Sequence, residues 1–390
     1  MPHAKPLAGL VVLDMSQGIA GPSCGGHFAE HGAEVIKIEP PEGDWIRNLG
    51  SRIADTSAAA LIYNRGKSSL VIDLKTKAGV DLALRLAERA HVVIENARPG
   101  VMERLGVGFE AVKARQPDIV YVSVSGWGQT GPMRTEPMVD TVGQAVSGLM
   151  SVMRGRDGVP VKMDSPLIDA ITGLYAFQAA TMALWNKQPG SGAKHLDISL
   201  LQAAAHIQGP NLIECAYTGK QPTILNPPAA NYRTADGWIA VTLVSEAHFA
   251  AICRAIGRPD LIKDERYATF AVRRQHTPEL RRIIDDALIQ QPSAHWLAAF
   301  AREGALASRI NDYVDWYAHP QVRAVESAPP YPLRNGETVR LPHLPGQPPN
   351  QLPVPVIGGQ SRDVLARLGL STAEIDTLIA KGVVSQAAKA

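Results

Sequence analysis

The chain lacks most of the features that narrow a function at a glance. Its 390 residues include three cysteines, Cys24, Cys215 and Cys253, far apart and without a CxxC pair. That spacing argues against a disulfide frame or a cysteine zinc site and fits reduced thiols in a cytosolic protein. No charge of either sign dominates: 39 basic residues stand against 37 acidic ones, a net charge of +2. Without a basic tract interleaved with aromatics, nucleic acid is not expected as a partner. No apolar run approaches the length of a membrane span, and Asp14 interrupts the first one too early for a signal peptide. No Gly-x-Ser-x-Gly elbow occurs and no metal-ligand cluster is read from the 11 histidines, so no metal is expected. With 45% hydrophobic and 19% charged residues, the expectation is a soluble, cytoplasmic protein of about two domains, with no membrane partner.

What is present begins with short β-branched runs alternating with helical patterns. Leu10-Val11-Val12-Leu13, Val35-Ile36-Lys37-Ile38, Leu70-Val71-Ile72, His91-Val92-Val93-Ile94 and Ile119-Val120-Tyr121-Val122 are continuous or nearly continuous. Continuous runs mark strands covered on both faces. Between them lie amphipathic stretches such as 77–89, with Leu82, Leu86 and Ala90 at helical spacing. The fold class expected is α/β, a doubly wound parallel, Rossmann-like sheet. Residues 165–218 read as long, Ala-rich helix broken at Pro189-Gly190-Ser191-Gly192. Asn226-Pro227-Pro228 breaks the chain before a smaller α+β unit. Residues 329–355, rich in Pro and Gly, read as an extended crossing segment. A last helix opens at the capping box Ser371-Thr372-Ala373-Glu374 and ends at Gly382. The boundaries drawn are 1–225 for the large domain, 226–326 for the small one and 327–390 for the return to the large one.

Asp169 is the principal candidate for chemistry. It is a lone carboxylate in the apolar stretch Pro166-Leu167-Ile168-Asp169-Ala170-Ile171-Thr172-Gly173, and ionised carboxylates are seldom buried without a partner. The competing reading is a helix cap. At the first strand-to-helix turn, Gly18, Gly21, Gly25 and Gly26 with Glu39 invite a dinucleotide reading, but the spacing is not G-x-G-x-x-G; glycine serves close packing equally well. Asn64-Arg65-Gly66-Lys67 places two cations around a glycine, suited to phosphate or simply solvated. Glu95-Asn96-Ala97-Arg98-Pro99-Gly100, followed by Arg104, lies at the C-terminal end of a strand, where ligands of open α/β sheets gather. Ser125-Gly126-Trp127-Gly128-Gln129-Thr130-Gly131-Pro132 forms a tight loop at a functional rim.

Taken together, these stretches resemble the class III CoA-transferase family, the CaiB/BaiF group that includes formyl-CoA:oxalate and carnitine CoA-transferases. The resemblance runs along nearly the whole chain, through Gly21-Pro22, Gly32-Ala33-Glu34-Val35-Ile36-Lys37-Ile38-Glu39-Pro40, Asn64-Arg65-Gly66-Lys67, Glu95-Asn96-Ala97-Arg98-Pro99-Gly100 and Gly128-Gln129-Thr130-Gly131-Pro132 to Gln144-Ala145-Val146-Ser147-Gly148 and Leu368-Gly369-Leu370-Ser371. The family's nucleophile stands in an Asp-x-x-x-Gly stretch, matched by Asp169 and Gly173. Three departures stand out. Gly358-Gly359-Gln360-Ser361 replaces a Glu-His pair, Leu243-Val244-Ser245-Glu246 replaces the glycine-run loop of oxalate-using members, and Met138-Val139-Asp140-Thr141 lacks the His of the racemase branch.

The resemblance implies an interlocked homodimer and transfer of CoA from an acyl-CoA to a small carboxylic acid, through an aspartyl anhydride and an aspartyl-CoA thioester on Asp169. Backbone amides of the glycine loops are expected to stabilise the oxyanions. Coenzyme A enters as a substrate, with succinyl-CoA the favoured donor. The residues expected to grip it are Asn64, Arg65, Lys67, Asn96, Ala97, Arg98 and Arg104. Asp140 and Gln144 are expected to line the same pocket, with a helix-cap role for Asp140 equally open. Two other readings share the fold: an α-methylacyl-CoA racemase-type isomerase, and a CoA-binding protein without transfer activity.

Overall fold

A computed structural model describes residues 5–155, 157–223 and 225–387. The segment ahead of residue 5, which enters the signal-peptide reading, lies outside them. The chain divides into two compact units, Met1–Leu212 with Ala328–Ala390, and Ile213–Ser327. The first boundary falls inside the helix Gly209–Thr218, ahead of the Asn226-Pro227-Pro228 break.

The large unit is built on β1 (Val11–Asp14), α1 (Ala20–Glu30), β2 (Glu34–Glu39), β3 (Ser68–Ile72), α2 (Lys77–Ala87), β4 (Val92–Glu95), α3 (Val101–Leu105), β5 (Val120–Ser125), α4 (Asp140–Val146), α5 (Leu167–Trp185) and β6 (Lys194–Ser199). The smaller unit carries β7 (Ala230–Arg233), β8 (Trp238–Thr242) and β9 (Leu306–Arg309), and the chain returns to the large unit as β10 (Val384–Ser385). Among the described residues, seven strands form one sheet in the order β10-β3-β2-β1-β4-β5-β6. All neighbours pair in parallel except β10, which runs antiparallel to β3. The order 3-2-1-4-5-6 leaves a crevice beyond the C-terminal ends of β1 and β4, where the winding reverses.

Each face of the sheet has its own core. One gathers Phe28, Val35, Val92, Ile94, Val122, Ile168, Ala176 and Ala180, with α1 and α5 as its helices. The other gathers Leu70, Ile72, Leu82, Leu86, Val93 and Tyr121 with Val364, Leu365 and Ile375 from the chain's end. The final helix, Thr372–Ala380, opens at the expected box: Glu374 N donates to Ser371 Oγ at 3.3 Å, and Ser371 N donates to Glu374 Oε2 at 2.7 Å.

Three expectations need correction. Within 165–218 lies an edge strand, β6; its Lys-His-Leu-Asp-Ile-Ser alternates and is covered on one face only, so it lacks the continuous apolar run of the inner strands. The segment 329–355 is not simply extended: Pro330–Pro332 pairs with Thr338–Arg340, and Tyr331, Leu333, Leu341 and Val354 are buried with Leu61. Finally, α5, 19 residues with mean hydropathy 1.3, is long and apolar enough to cross a membrane, a length the sequence reading denied. Ile168, Ala176 and Ala180 are nonetheless fully buried within the core of the sheet's first face.

The smaller unit is an antiparallel sheet in the order β9-β8-β7. Its core gathers Tyr232, Ile239, Phe249, Leu280, Ile284, Trp296 and Phe300.

Candidate active site

Asp169 stands in the first turn of α5, which has no side-chain cap of its own. The cap comes from another helix. Asp140, the first residue of α4, accepts through Oδ2 from Ile168 N at 2.7 Å and from Asp169 N at 3.1 Å. Its Oδ1 accepts from Gln144 Nε2. Gln144, fully buried, also grips the strand of chain leading into α5: it donates to Met163 O at 3.1 Å and accepts from Met163 N at 3.0 Å. The carboxylate of Asp169 is therefore aimed by its backbone. Among the described residues no cation or hydrogen-bond donor meets it. Burial pushes Asp169 up to about 7, and the neighbouring charge of Asp140 adds to the rise. The same two carboxylates lie close enough to Tyr63 to add to the effect of burial in holding its phenol protonated. Asp164, the next acid in reach along the chain, is exposed and paired with Lys162 at 2.6 Å.

A cavity of about 690 Å³ opens at the crevice. Its walls are Met15 and Gln17 after β1, Ile38 and Pro40 at the end of β2, and Ile72 and Leu74 after β3. Asn96, Ala97 and Arg98 after β4 and Met102 and Leu105 of α3 continue the wall. Lys75, Arg98 and Arg134, all exposed, bring positive charge to its lining. Met138, Val139 and Val142 close it on the side of Asp140, the residue that holds the Asp169 turn. The lining also carries Glu42, Asp73 and Glu136, so the three cations stand among three acids. A largely apolar hollow of this size suits a long ligand.

The model of CoA-transferase family III matches residues 7–355. The chain belongs to that family. It is 32% identical to a succinate–glutarate CoA-transferase of Agrobacterium fabrum, over 94% of this chain and 97% of that protein. It is 31% identical to human succinyl-CoA:glutarate CoA-transferase, over 99% and 91% of the two chains. The crystal structure of a CaiB/BaiF family protein from Brucella suis superposes with a TM-score of 0.80 at 28% identity, covering 93% of this chain and 99% of that one. The protein is an acyl-CoA:carboxylate CoA-transferase, with CoA a part of its substrate.

The transferase does not bring all the expected residues to the cavity. Asn96, Ala97 and Arg98 line it, whereas Asp169, Asp140 and Gln144 are not among its lining residues, and Asp140 takes the cap role instead. Nor does Lys67 line it: its ammonium, without exposure, gives its three protons to Asp14 Oδ2 at 2.7 Å, Pro22 O at 2.8 Å and Asn64 Oδ1 at 2.9 Å. No donor is left for a phosphate. Asn64 is occupied by that contact, and Arg65 pairs with buried Glu30. Arg104 is exposed and folds back over Gly100, outside the cavity lining. Glu39, the acid of the dinucleotide reading, binds Arg47 at 2.6 Å and accepts from Asp44 N and Ser69 Oγ.

Gly25 explains the glycines at this turn better than a nucleotide does: a Cβ there would lie 2.6 Å from Asp14 Oδ2. The turn Gly358-Gly359-Gln360-Ser361 is pinned to β3, with Gly358 N donating to Ser69 Oγ and Ser69 N donating to Gln360 Oε1. His27 and His31 stand four apart beside Glu30, a metal-like spacing the sequence reading passes over; both rings lie against Phe177, and Glu30 is held by Arg65 and Asn350. Lys75 and Arg134 are missed by sequence reasoning, although Lys75 follows the run Leu70-Val71-Ile72 at a strand's C-terminal end, the signal that pointed to Asn96.

Proposed function

We propose that Asp169 is the covalent nucleophile of the transfer and that succinyl-CoA is the donor. The observation that carries this is a half-buried carboxylate, raised to about 7 and without a cation, in the first turn of a helix capped by Asp140, whose chain neighbour Val139 lies on the cavity wall. An ionised Asp169 oxygen attacks the thioester carbonyl, the C–S bond breaks, and CoA leaves as thiolate, giving a mixed anhydride. The thiolate attacks the aspartyl carbonyl and expels the donor's carboxylate, leaving an aspartyl-CoA thioester. The acceptor carboxylate attacks that thioester and thiolate leaves again. Thiolate then attacks the acceptor's carbonyl and frees Asp169. No net proton is consumed, so no general base is needed. A carboxylate near 7 is both a better nucleophile and a fair leaving group, which a two-way exchange requires.

In this reading CoA lies in the crevice, with its phosphates met by Lys75, Arg98 and Arg134. A dicarboxylate donor and acceptor are supported by the relatives named for succinate, succinyl-CoA and glutarate. The enzyme works as a cytoplasmic, interlocked homodimer. Incubation with labelled succinyl-CoA and glutarate, read as new glutaryl-CoA, tests the transfer. Asp169→Ala is expected to lose about 10³-fold or more while still binding acyl-CoA. A variant retaining more than about a tenth of the rate would mean that the nucleophile is another residue.

A further inference from the structure

The turn joining β1 to α1, Ser16-Gln17-Gly18, has its backbone held by side chains from four separate places. Ser16 N donates to Asp14 Oδ1 at 3.0 Å, and Ser16 O accepts from Lys37 Nζ at 2.7 Å. Asn96 takes both groups of Gln17, accepting from its N at 2.8 Å and donating to its O at 2.7 Å. Gly18 N donates to Asp44 Oδ1 at 3.0 Å. Behind the turn, Lys37 and Asp44 pair at 2.9 Å with neither side chain exposed. Turns are ordinarily solvated, and a buried ion pair stabilises no better than well-packed apolar side chains of the same volume. The arrangement calls for a reason other than stability.

The position of the turn supplies one. On one side, Met15 and Gln17 form part of the cavity wall. On the other, the first turn of α1 meets α5 at Gly173, where an added Cβ would lie 2.6 Å from Ala20 O and 2.5 Å from Ser23 Cβ. Gly173 is one helical turn beyond Asp169. The turn is thus the short link between the cavity and the helix that carries the carboxylate.

We propose that Lys37 is a positioning residue: held by Asp44, it fixes Ser16 O and with it the spacing between a thioester in the cavity and Asp169. This rests on the reading of Asp169 as nucleophile. Misplacing reacting groups by about an ångström costs up to roughly a hundredfold in rate, so the effect belongs in kcat rather than in acyl-CoA affinity.

Lys37→Met alone leaves a buried, unpaired Asp44 and can simply unfold the protein. The test is therefore the double variant Lys37→Met/Asp44→Asn, which removes both charges while the amide oxygen at position 44 still accepts from Gly18 N. The expected result is a kcat lower by about tenfold to a hundredfold, with KM for acyl-CoA changed by less than about threefold. Amide exchange, read by mass spectrometry, should accelerate across residues 15–20 and nowhere else, and Lys37→Arg should restore most of kcat. A double variant with wild-type kcat overturns the proposal. So does faster exchange throughout the protein, which would make the pair merely structural. If wild-type protein transfers no CoA, the functional reading fails on its own; the clamp is then judged by exchange alone, and unchanged protection across 15–20 overturns it.

Discussion

Asp140 donates nothing and accepts three times, and its charge adds to the rise that burial gives Asp169. By taking Ile168 N and Asp169 N it must stay an acceptor, and its charge stands beside a carboxylate that burial has already raised. As the proposed nucleophile Asp169 would react as the anion, so kcat/KM should rise with pH through about 7 and level off above it. Asp140→Asn removes the neighbouring charge but keeps an oxygen for the two amides. The rising limb should then move to lower pH, toward the ordinary carboxylate range, a shift read directly from pH–rate profiles. An unmoved limb would assign it to another group. Lys67 and Lys75 give a second contrast. Breaking the buried Lys67–Asp14 pair with Lys67→Ala should destabilise by about 3–5 kcal/mol in urea titration. Lys75→Ala should leave stability alone and weaken acyl-CoA binding by about 1–3 kcal/mol. The reverse pattern would return the phosphates to Lys67.

Helices α1 and α5 cross where neither can carry a large side chain. The sequence Ala-Gly-Pro-Ser-Cys-Gly-Gly of α1 is buried along its whole length, and Gly173 of α5 faces Ala20 and Ser23. Gly173→Ala would push a methyl into backbone and Ser23, forcing the helices apart near Asp169. It should cost about 1–3 kcal/mol by denaturant titration and lower kcat as well. A variant as stable and as active as wild type would show that the crossing yields. The elements most legible in sequence were those whose own residues specify them: the inner strands, with continuous apolar runs, and the last helix, with its Ser371–Glu374 box. The edge strand β6 and the Pro330–Pro332 pair escaped because each is short and half-covered, and pairing, not composition, makes them strands.

At the scale of the whole molecule, the large unit leaves an apolar surface uncovered. Of the most apolar stretch of α5 only 28% is buried, and Met182 and Trp185 are 60% and 88% exposed. Such a surface marks an interaction site, and the proposed homodimer is its expected occupant. An interlocked dimer cannot separate without unthreading a chain. Sedimentation at nanomolar protein should therefore still find the dimer, with unfolding a single concentration-dependent step. A folded species of monomer mass would contradict the interlocking.

By itself the sequence determined the α/β class and the parallel inner strands from local patterns of runs and caps, and, through the resemblance of its motifs along the chain, the family and the carboxylate most worth testing. Only the tertiary structure decided what each polar side chain faces. Lys67 and Lys75 look alike in sequence, yet one is enclosed by three acceptors and the other stands on the cavity wall. Asp140 caps a helix 28 residues away, and Asn96 holds a turn 79 residues before it. Such roles depend on which strands lie side by side at the winding reversal, and residue type carries no record of a partner so distant along the chain.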